Sequence, residues 1–391
     1  MVSQKMYQLG VMRSSIRELF EYGLSLAEEV GRDNVFDYSL GNPSVPAPRQ
    51  VDTALGQLTG EDSLSLHSYT SAEGAVDVRK VVAKDLTERF GIEIHPQNLF
   101  FTCGAAPALT SVLRALAVEN AEIMAIAPYF PEYSVFVETC GAKFVLVPAD
   151  TETFQIPLKE LEVRLTENTQ AIIVNTPNNP SGAVYSRETL KALAAILETK
   201  SREYGHPIYI IADEPYRELV YDGLEVPFIP TIYPNTIVCY SYSKSLSLPG
   251  ERIGYVCVPE CVEEFENALA AVKGAARASG HVCAPSLIQK VIAQCAGVKP
   301  DLAAYDRNRR LLYESLTEYG YTCVKPQGAF YLFVKAPGGD AVLFSEKAKK
   351  HRLLLVPGDD FGCKGYFRLS TCVDHGMILR SLPVFKELIH C

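Results

Sequence analysis

From residue 76 to residue 213 helical stretches alternate with short apolar runs rich in β-branched residues, and two further runs follow by residue 258. The runs occupy 98–103, 122–127, 143–147, 170–176, 207–213, 236–241 and 252–258. Helical periodicity covers 76–90, 106–118, 132–140, 158–165 and 186–204 between them. Parallel strands need crossovers long enough to hold a helix, so this alternation predicts an α/β core with a mostly parallel sheet covered on both faces.

The chain has 391 residues, enough for that core and a smaller unit besides. At the front, Ile16, Leu19, Phe20, Gly23, Leu26, Ala27 and Val30 share one face of a helix over 11–30. A short strand over 36–40 and a proline-rich crossing through Pro43, Pro46 and Pro48 follow. After residue 260 helices are expected over 262–277, 284–296 and 301–319. An α+β lobe then closes the chain, with strands over 322–324, 329–334, 353–356 and 366–370 and helices over 340–350 and 374–389. The N-terminal helix is expected to pack on this lobe.

Lysine and arginine total 37 against 46 acidic residues, a net charge of −9 that argues against nucleic acid or anionic lipid as a partner. The 11 cysteines are odd in number and scattered, as expected of reduced thiols in a cytoplasmic chain without a disulfide framework. Cys257 and Cys261 stand four apart with no second pair at zinc spacing, so no metal site is expected. Residues 1–10 lack an apolar signal core, and no uninterrupted apolar run approaches 18 residues, so neither secretion nor a membrane span is expected.

The most informative stretch runs from Ser241 through Ser243, Lys244, Gly250 and Arg252 to Gly254, between two expected strands. A lysine at the carboxyl end of a sheet strand can form an imine with an aldehyde, while nearby hydroxyls and an arginine hold an anion. An aldehyde cofactor bearing a phosphate suits that combination. A lone loop lysine is more often a solvated surface residue, but the flanking Ser, Gly and Arg positions argue against that here.

This stretch resembles the signature of the class I/II aminotransferases, the fold type I enzymes dependent on pyridoxal 5'-phosphate (PLP): S-x-[ST]-K followed by G-x-R-x-G. The resemblance extends over essentially the whole chain. It implies a three-layer, aspartate aminotransferase-like large domain over 45–290 and a small α+β domain from 1–44 with 291–391. It further implies that Lys244 carries PLP while Ser241, Ser243 and Arg252 hold its phosphate.

Other segments fit the same family. Asp213-Glu214-Pro215-Tyr216 ends a β-branched strand and resembles the D-E-x-Y segment. A buried acid beside the pyridine nitrogen keeps that ring protonated and able to accept electrons, which implies Asp213. Taken alone, an acid at a strand end serves equally well as a helix cap. Tyr216 would meet the cofactor's phenolate oxygen. Asn179, before Pro180 in Asn178-Asn179-Pro180-Ser181-Gly182, matches the N-P-x-G turn and would meet the same oxygen, although such dipeptides also mark simple turns.

Gly104, Ala105 and Ala106 open a helix whose backbone N–H groups suit the phosphate. The family usually has Ser or Thr after the glycine, so the alanines leave only main-chain donors there. Phe130, in Pro128-Tyr129-Phe130-Pro131, is the resemblance's ring over the pyridine, with Tyr129 or an ordinary core aromatic as alternatives. Tyr69 matches a tyrosine that reaches the neighbouring subunit's phosphate, implying a homodimer with shared sites.

Gly365-Tyr-Phe-Arg368-Leu-Ser resembles the strand whose arginine clamps the substrate α-carboxylate, and Gly41 lies in the segment that closes over that carboxylate. Arg277 falls near the family's partner-supplied arginine for a side-chain carboxylate. Arg13 and Arg17 are rivals, and all three also read as solvated helix arginines. The segment from Pro326 to Phe333 reads as structural strand and lobe packing.

The resemblance therefore implies an aminotransferase that moves an amino group between small-molecule L-amino acids and 2-oxo acids by a ping-pong route, with a lean toward aspartate. A PLP-dependent C–S β-lyase of the same fold is the alternative. A ligand-sensing aminotransferase-like module is a weaker one, because no basic recognition helix precedes the core.

Overall fold

The computed structural model describes residues 1–11 and 15–390. Its centre is a seven-stranded sheet. After β1 (Phe36–Asp37) come β2 (Leu99–Thr102), β3 (Glu122–Ile126), β4 (Lys143–Val147), β5 (Thr169–Asn175), β6 (Tyr209–Asp213), β7 (Thr236–Ser241) and β8 (Gly254–Cys257), in the spatial order β2-β8-β7-β6-β5-β3-β4. The pairs β4–β3, β3–β5, β5–β6 and β6–β7 are parallel, while β8 runs antiparallel to both β7 and β2.

Side chains alternate between two apolar clusters, as a pleated strand requires. Met124, Ile172, Ile210 and Val238 enter one cluster with residues of helices Val76–Phe90, Arg187–Tyr204 and Ser286–Gln294. Ile123, Ile173, Ile211 and Ile237 enter the other with residues of helices Ala105–Leu116, Glu132–Thr139 and Phe265–Ala278. The strands are thus buried from both sides, and their near-continuous apolar character follows.

A four-stranded sheet is built by β9 (Thr322–Cys323), β10 (Tyr331–Lys335), β12 (Val356–Pro357) and β13 (Tyr366–Ser370), while β11 (Leu353–Leu354) pairs in parallel with β1. These elements share a separate cluster containing Tyr38, Leu312, Leu332, Phe367 and Phe385. The chain's front therefore meets its end. Gly23 of helix Ser15–Val30 lies against Leu354: a Cβ there would stand 2.9 Å from the leucine's Cδ1.

Before the central sheet, two elements depart from expectation. The proline-rich crossing leads directly into helices Arg49–Leu58 and Ser63–His67, with Val51, Ala54, Leu58 and Leu66 buried. The strand expected over 36–40 pairs only over Phe36–Asp37, which releases the backbone of Ser39 and Gly41 to face side chains from elsewhere in the chain.

Candidate active site

The site lies at the carboxyl ends of the central strands, where each chain segment leaves the sheet and can present a side chain. Strand β7 ends at Ser241, whose side chain caps the short turn Tyr242–Ser245 by accepting from the Ser243 N–H. That turn carries Lys244. Its Nζ donates to the Gly41 carbonyl at 2.7 Å and lies 5.4 Å from the Phe330 ring centroid. Burial brings the amine down to about 8; the Cys372 thiol opposes this and the Arg252 and Arg368 cations add to it.

An amine attacks a carbonyl only when unprotonated, and the neutral fraction rises with pH to one half near 8. The rate at which apoprotein captures an added aldehyde cofactor is therefore expected to climb with pH and level off above about 8, read by stopped-flow absorbance. A midpoint near 10.5, the ordinary value of a free lysine, would contradict the burial argument.

One strand over, β6 ends at Asp213, 4% exposed. The Tyr133 hydroxyl donates to its Oδ2, while Oδ1 has no hydrogen-bond partner. Burial pushes this carboxyl up to about 7; the Tyr133 hydrogen bond opposes the rise and the neighbouring Glu214 charge adds to it. Glu214 pairs in turn with Arg217, a buried guanidinium flanked by the rings of Phe90, Phe228 and Tyr240. A buried carboxylate oxygen without a partner costs free energy unless a ligand donor meets it.

Arg252 and Gly104 form a cradle. A Cβ on Gly104 would stand 2.6 Å from Arg252 Nη2, so the glycine admits the guanidinium to the start of helix Ala105–Leu116. Arg252 has φ +53, and its Nη1 donates to Pro249 O at 2.9 Å and to Ser243 Oγ at 3.4 Å. Ser243 Oγ is 2.8 Å from Ser241 Oγ. The open N–H groups of the helix start, two hydroxyls and a guanidinium thus face one small space, the donor set a phosphate needs. On the opposite side Gly254 abuts Gly104, where a Cβ would stand 3.0 Å from the Gly104 carbonyl carbon and fall on the Tyr240 carbonyl oxygen. Gly254→Ala is expected to lower stability by about 1–3 kcal/mol through overpacking, measured as a drop in melting temperature.

A third group of residues surrounds Arg368, 2% exposed on β13. Its Nη1 donates to Asn179 Oδ1 at 3.1 Å and its Nη2 to the Ser39 carbonyl, while Nε has no partner. The guanidinium stacks 4.6 Å from the Tyr331 ring centroid and 5.1 Å from that of Phe361. Burial draws its proton affinity below the ordinary arginine value. Tyr331 OH lies 3.0 Å from Tyr216 OH, and Gly41 is bare against it, since a Cβ there would collide with the Tyr331 hydroxyl.

The structure thus gathers Lys244, Asp213, Tyr216, Asn179, Ser241, Ser243, Arg252, Gly104, Ala105, Ala106, Arg368 and Gly41 at one end of the sheet. Phe130 stands edge-on to Tyr133, ring centroids 5.7 Å apart, whereas Tyr129 turns toward Phe144 and Gly362. Two expected residues are not brought in within the single chain. Tyr69 is 86% exposed, and Arg277 is exposed in the last turn of helix Phe265–Ala278. The two segments are nevertheless neighbours, because His281 Nε2 is 3.1 Å from Ala72 O. Arg17 is exposed on its helix, and Arg13 lies outside the described residues.

Sequence reasoning missed Tyr133, Tyr331, Ser39 and Cys372. Tyr133 stands three residues beyond Phe130 at the start of helix Glu132–Thr139, but nothing in the spacing tells which carboxylate it meets. The buried Cys372 thiol, 2.8 Å from Ser370 Oγ, is raised to about 11 by burial and stays protonated at neutral pH.

Comparison with known proteins agrees with this geometry. Residues 34–382 match the family described as aminotransferase class I and II. Aromatic-amino-acid aminotransferase 2 of Thermococcus litoralis is 29% identical over 393 residues, 96% of this chain and 95% of that protein. Aspartate/prephenate aminotransferase of Thermus thermophilus is 29% identical over 356 residues, 89% of each chain. The crystal structure of an aminotransferase from Eubacterium rectale superposes with a TM-score of 0.97 at 55% identity, covering 100% of this chain and 98% of that one. The aspartate aminotransferase of Thermus thermophilus with maleate gives 0.87 at 26% identity, covering 99% and 100%. The fold is that of the PLP-dependent, aspartate aminotransferase-like transferases. Within them, this chain belongs to the aminotransferases of class I and II.

The residues present fit PLP. The partnerless Asp213 oxygen suits a protonated ring nitrogen, and the Gly104–Arg252 cradle has the donors and the space for a phosphate. Among the described residues no helix is long and apolar enough to cross a membrane, and the described cysteines are free thiols.

Proposed function

We propose that this enzyme moves an amino group from an L-amino acid to a 2-oxo acid by a ping-pong route, with aspartate or a similar acid as donor. The observation that supports the reading is the Arg368 to Asn179 hydrogen bond, which puts a buried guanidinium directly beside the amide that this reading assigns to the cofactor. When bound, PLP supplies the aldehyde that takes up the amino group and the ring that accepts the electrons of the breaking Cα–H bond.

The chain's own residues do the rest. Lys244 Nζ, whose proton affinity is lowered by burial, would take the proton from the substrate's Cα and return one to the carbon that was the cofactor's aldehyde, two bonds from Cα. Asp213 stays charged by meeting a cationic ring donor through Oδ1, with Tyr133 fixing its other oxygen. Arg368 orients the substrate carboxylate, helped by the Ser39 and Gly41 backbone. Tyr216 and Asn179 hold the ring's oxygen substituent. Gly104, Ala105, Ala106, Ser241, Ser243 and Arg252 hold the phosphate, and Phe130 covers the ring face.

The same reading divides the chain into a PLP-binding domain over 45–290 and a small domain from 1–44 with 291–391. It pairs two chains in a cytoplasmic homodimer, with Tyr69 and Arg277 directed at the neighbour's site. The test is a visible absorbance titration of the PLP-loaded protein with a panel of amino acids. The donor is expected to convert the cofactor's band to that of its amine form, with a 2-oxo acid restoring it. Release of pyruvate and a thiol from cystathionine, with no 2-oxo acid required, would instead identify a β-lyase.

A further inference from the structure

Arg309 is none of the residues assigned above, yet it is 2% exposed and its guanidinium is held by several acceptors. It projects from helix Leu302–Glu318. Its Nη1 donates to the Pro326 carbonyl at 2.7 Å, its Nη2 and Nη1 reach the Asp222 carboxylate at 3.1 and 3.2 Å, and its Nε donates to Asp306 at 2.8 Å. The guanidinium lies 4.5 Å from the Tyr221 ring centroid. Lys325 adds a second cation to Asp222 at 2.9 Å, and the carboxyl is held down at about 2, by the hydrogen bonds from Lys325 and Arg309 above all. A planar fork with several fixed acceptors is a role lysine cannot reproduce.

What Arg309 grips is the segment from Pro326 to Ala329, which is hydrogen-bonded to two site-bearing segments at once. Gln327 and Gly328 donate to the Gly182 carbonyl at 2.8 and 2.9 Å, in the turn that presents Asn179. Ala329 donates to Leu219 O at 2.8 Å, Tyr221 N donates to Gln327 O at 3.0 Å, and Val220 bridges Gly328, in the stretch that follows Tyr216. Tyr221 OH donates to Ala329 O at 2.6 Å. The approach is close enough that a Cβ on Gly328 would stand 2.6 Å from the Pro177 ring. Beyond Ala329 the chain enters β10, which carries Tyr331 and pairs Phe333 with Arg368. The 326–329 segment therefore sets how the carboxylate-binding side, Tyr331 and Arg368, stands relative to the ring-binding side, Asn179 and Tyr216.

We propose that the Arg309–Asp222 clamp is a positioning device for catalysis, fixing the register between the substrate carboxylate and the cofactor ring. This rests on the aminotransferase reading above. Misplacing bound groups by a fraction of an ångström costs rate and affinity while the fold survives.

The test uses PLP-loaded Asp222→Asn and Arg309→Lys. The Asp222 side chain is 34% exposed, so its substitution leaves the core intact. Both variants are expected to lower kcat/KM about tenfold for the amino acid that gives the largest spectral change, with KM raised and kcat lowered together. The pH midpoint of the cofactor's visible band is expected to shift as Tyr216 moves. If both variants keep the wild-type kcat/KM and the wild-type band titration, the proposal is wrong, even if melting temperature falls. A wild-type protein whose band answers no amino acid would sink the aminotransferase reading and this proposal with it, whereas variants that fail to differ from a responsive wild type sink only the clamp.

Discussion

Replacing Lys244 with alanine is expected to reduce turnover by at least about 10⁴-fold, the upper range for a positioned general acid–base group. The methyl group can neither join the cofactor nor carry a proton at Cα, and no described neighbour can stand in. The Cys372 thiol is held protonated near 11, and Tyr216 and Tyr331 are buried phenols raised above their ordinary range. The Arg252 cradle and Asp213 remain in the variant, so it should still retain cofactor without covalent attachment. The checks are steady-state transamination with the identified donor and the cofactor's visible band after gel filtration. Turnover within tenfold of wild type would remove Lys244 from the mechanism.

Asp213→Asn is the second large effect, expected to lower kcat by about 10²–10³-fold, as when one preorganised electrostatic partner is removed. Asparagine keeps an oxygen for the Tyr133 hydroxyl but cannot balance a protonated ring nitrogen. Without cofactor the same carboxyl is a burden. Its folded value is raised to about 7 from an ordinary 3.8, so its contribution to stability is full below 3.8 and is lost as pH rises through 7. Apoprotein carrying Asp213→Asn should therefore match wild type near pH 4 and exceed it in melting temperature by pH 7. Adding PLP should reverse that order. An unchanged kcat, or a stability difference flat with pH, would contradict the assignment.

Much of the sheet was legible because its physics is local. The runs 143–147, 236–241 and 366–370 coincide with β4, β7 and β13, and helix Val76–Phe90 matches residue for residue. Each combines β-branched or helical periodicity with clear breakers at its ends. Helices Arg49–Leu58 and Ser63–His67 were not legible. Their apolar faces are short, Pro48 at the first N-cap reads as a loop signal, and their burial is granted by helix Ser286–Gln294, more than 200 residues on. The run expected to begin at 252 starts at Gly254 because Arg252 turns to φ +53 to reach Gly104, a tertiary demand that no propensity records.

For the site, Asp213 at the end of β6, Lys244 in the turn after β7 and Arg368 in the middle of β13 were legible because each sits within a short local motif. Tyr133 and Tyr331 escaped notice because their partners, Asp213 and Tyr216, are 80 and 115 residues distant. Tyr69 and Arg277 are exposed at the surface of the chain, and only the proposed pairing of two chains directs them at a site.

The contacts that close the site have a consequence for how the protein is made. Lys244 reaches Gly41 across 203 residues, and Arg368 reaches Asn179 across 189 and Ser39 across 329. Loops of that length close late and slowly. The strands of the central sheet are all made by Cys257, and helices Phe265–Ala278 and Ser286–Gln294, which cover its two faces, follow them. Only after Arg368 emerges can its guanidinium return to the Ser39 backbone. The residues of the Gly104–Arg252 cradle are therefore all made before Arg368, and the contacts of Arg368 with Asn179 and Ser39 are among the last that the growing chain can form.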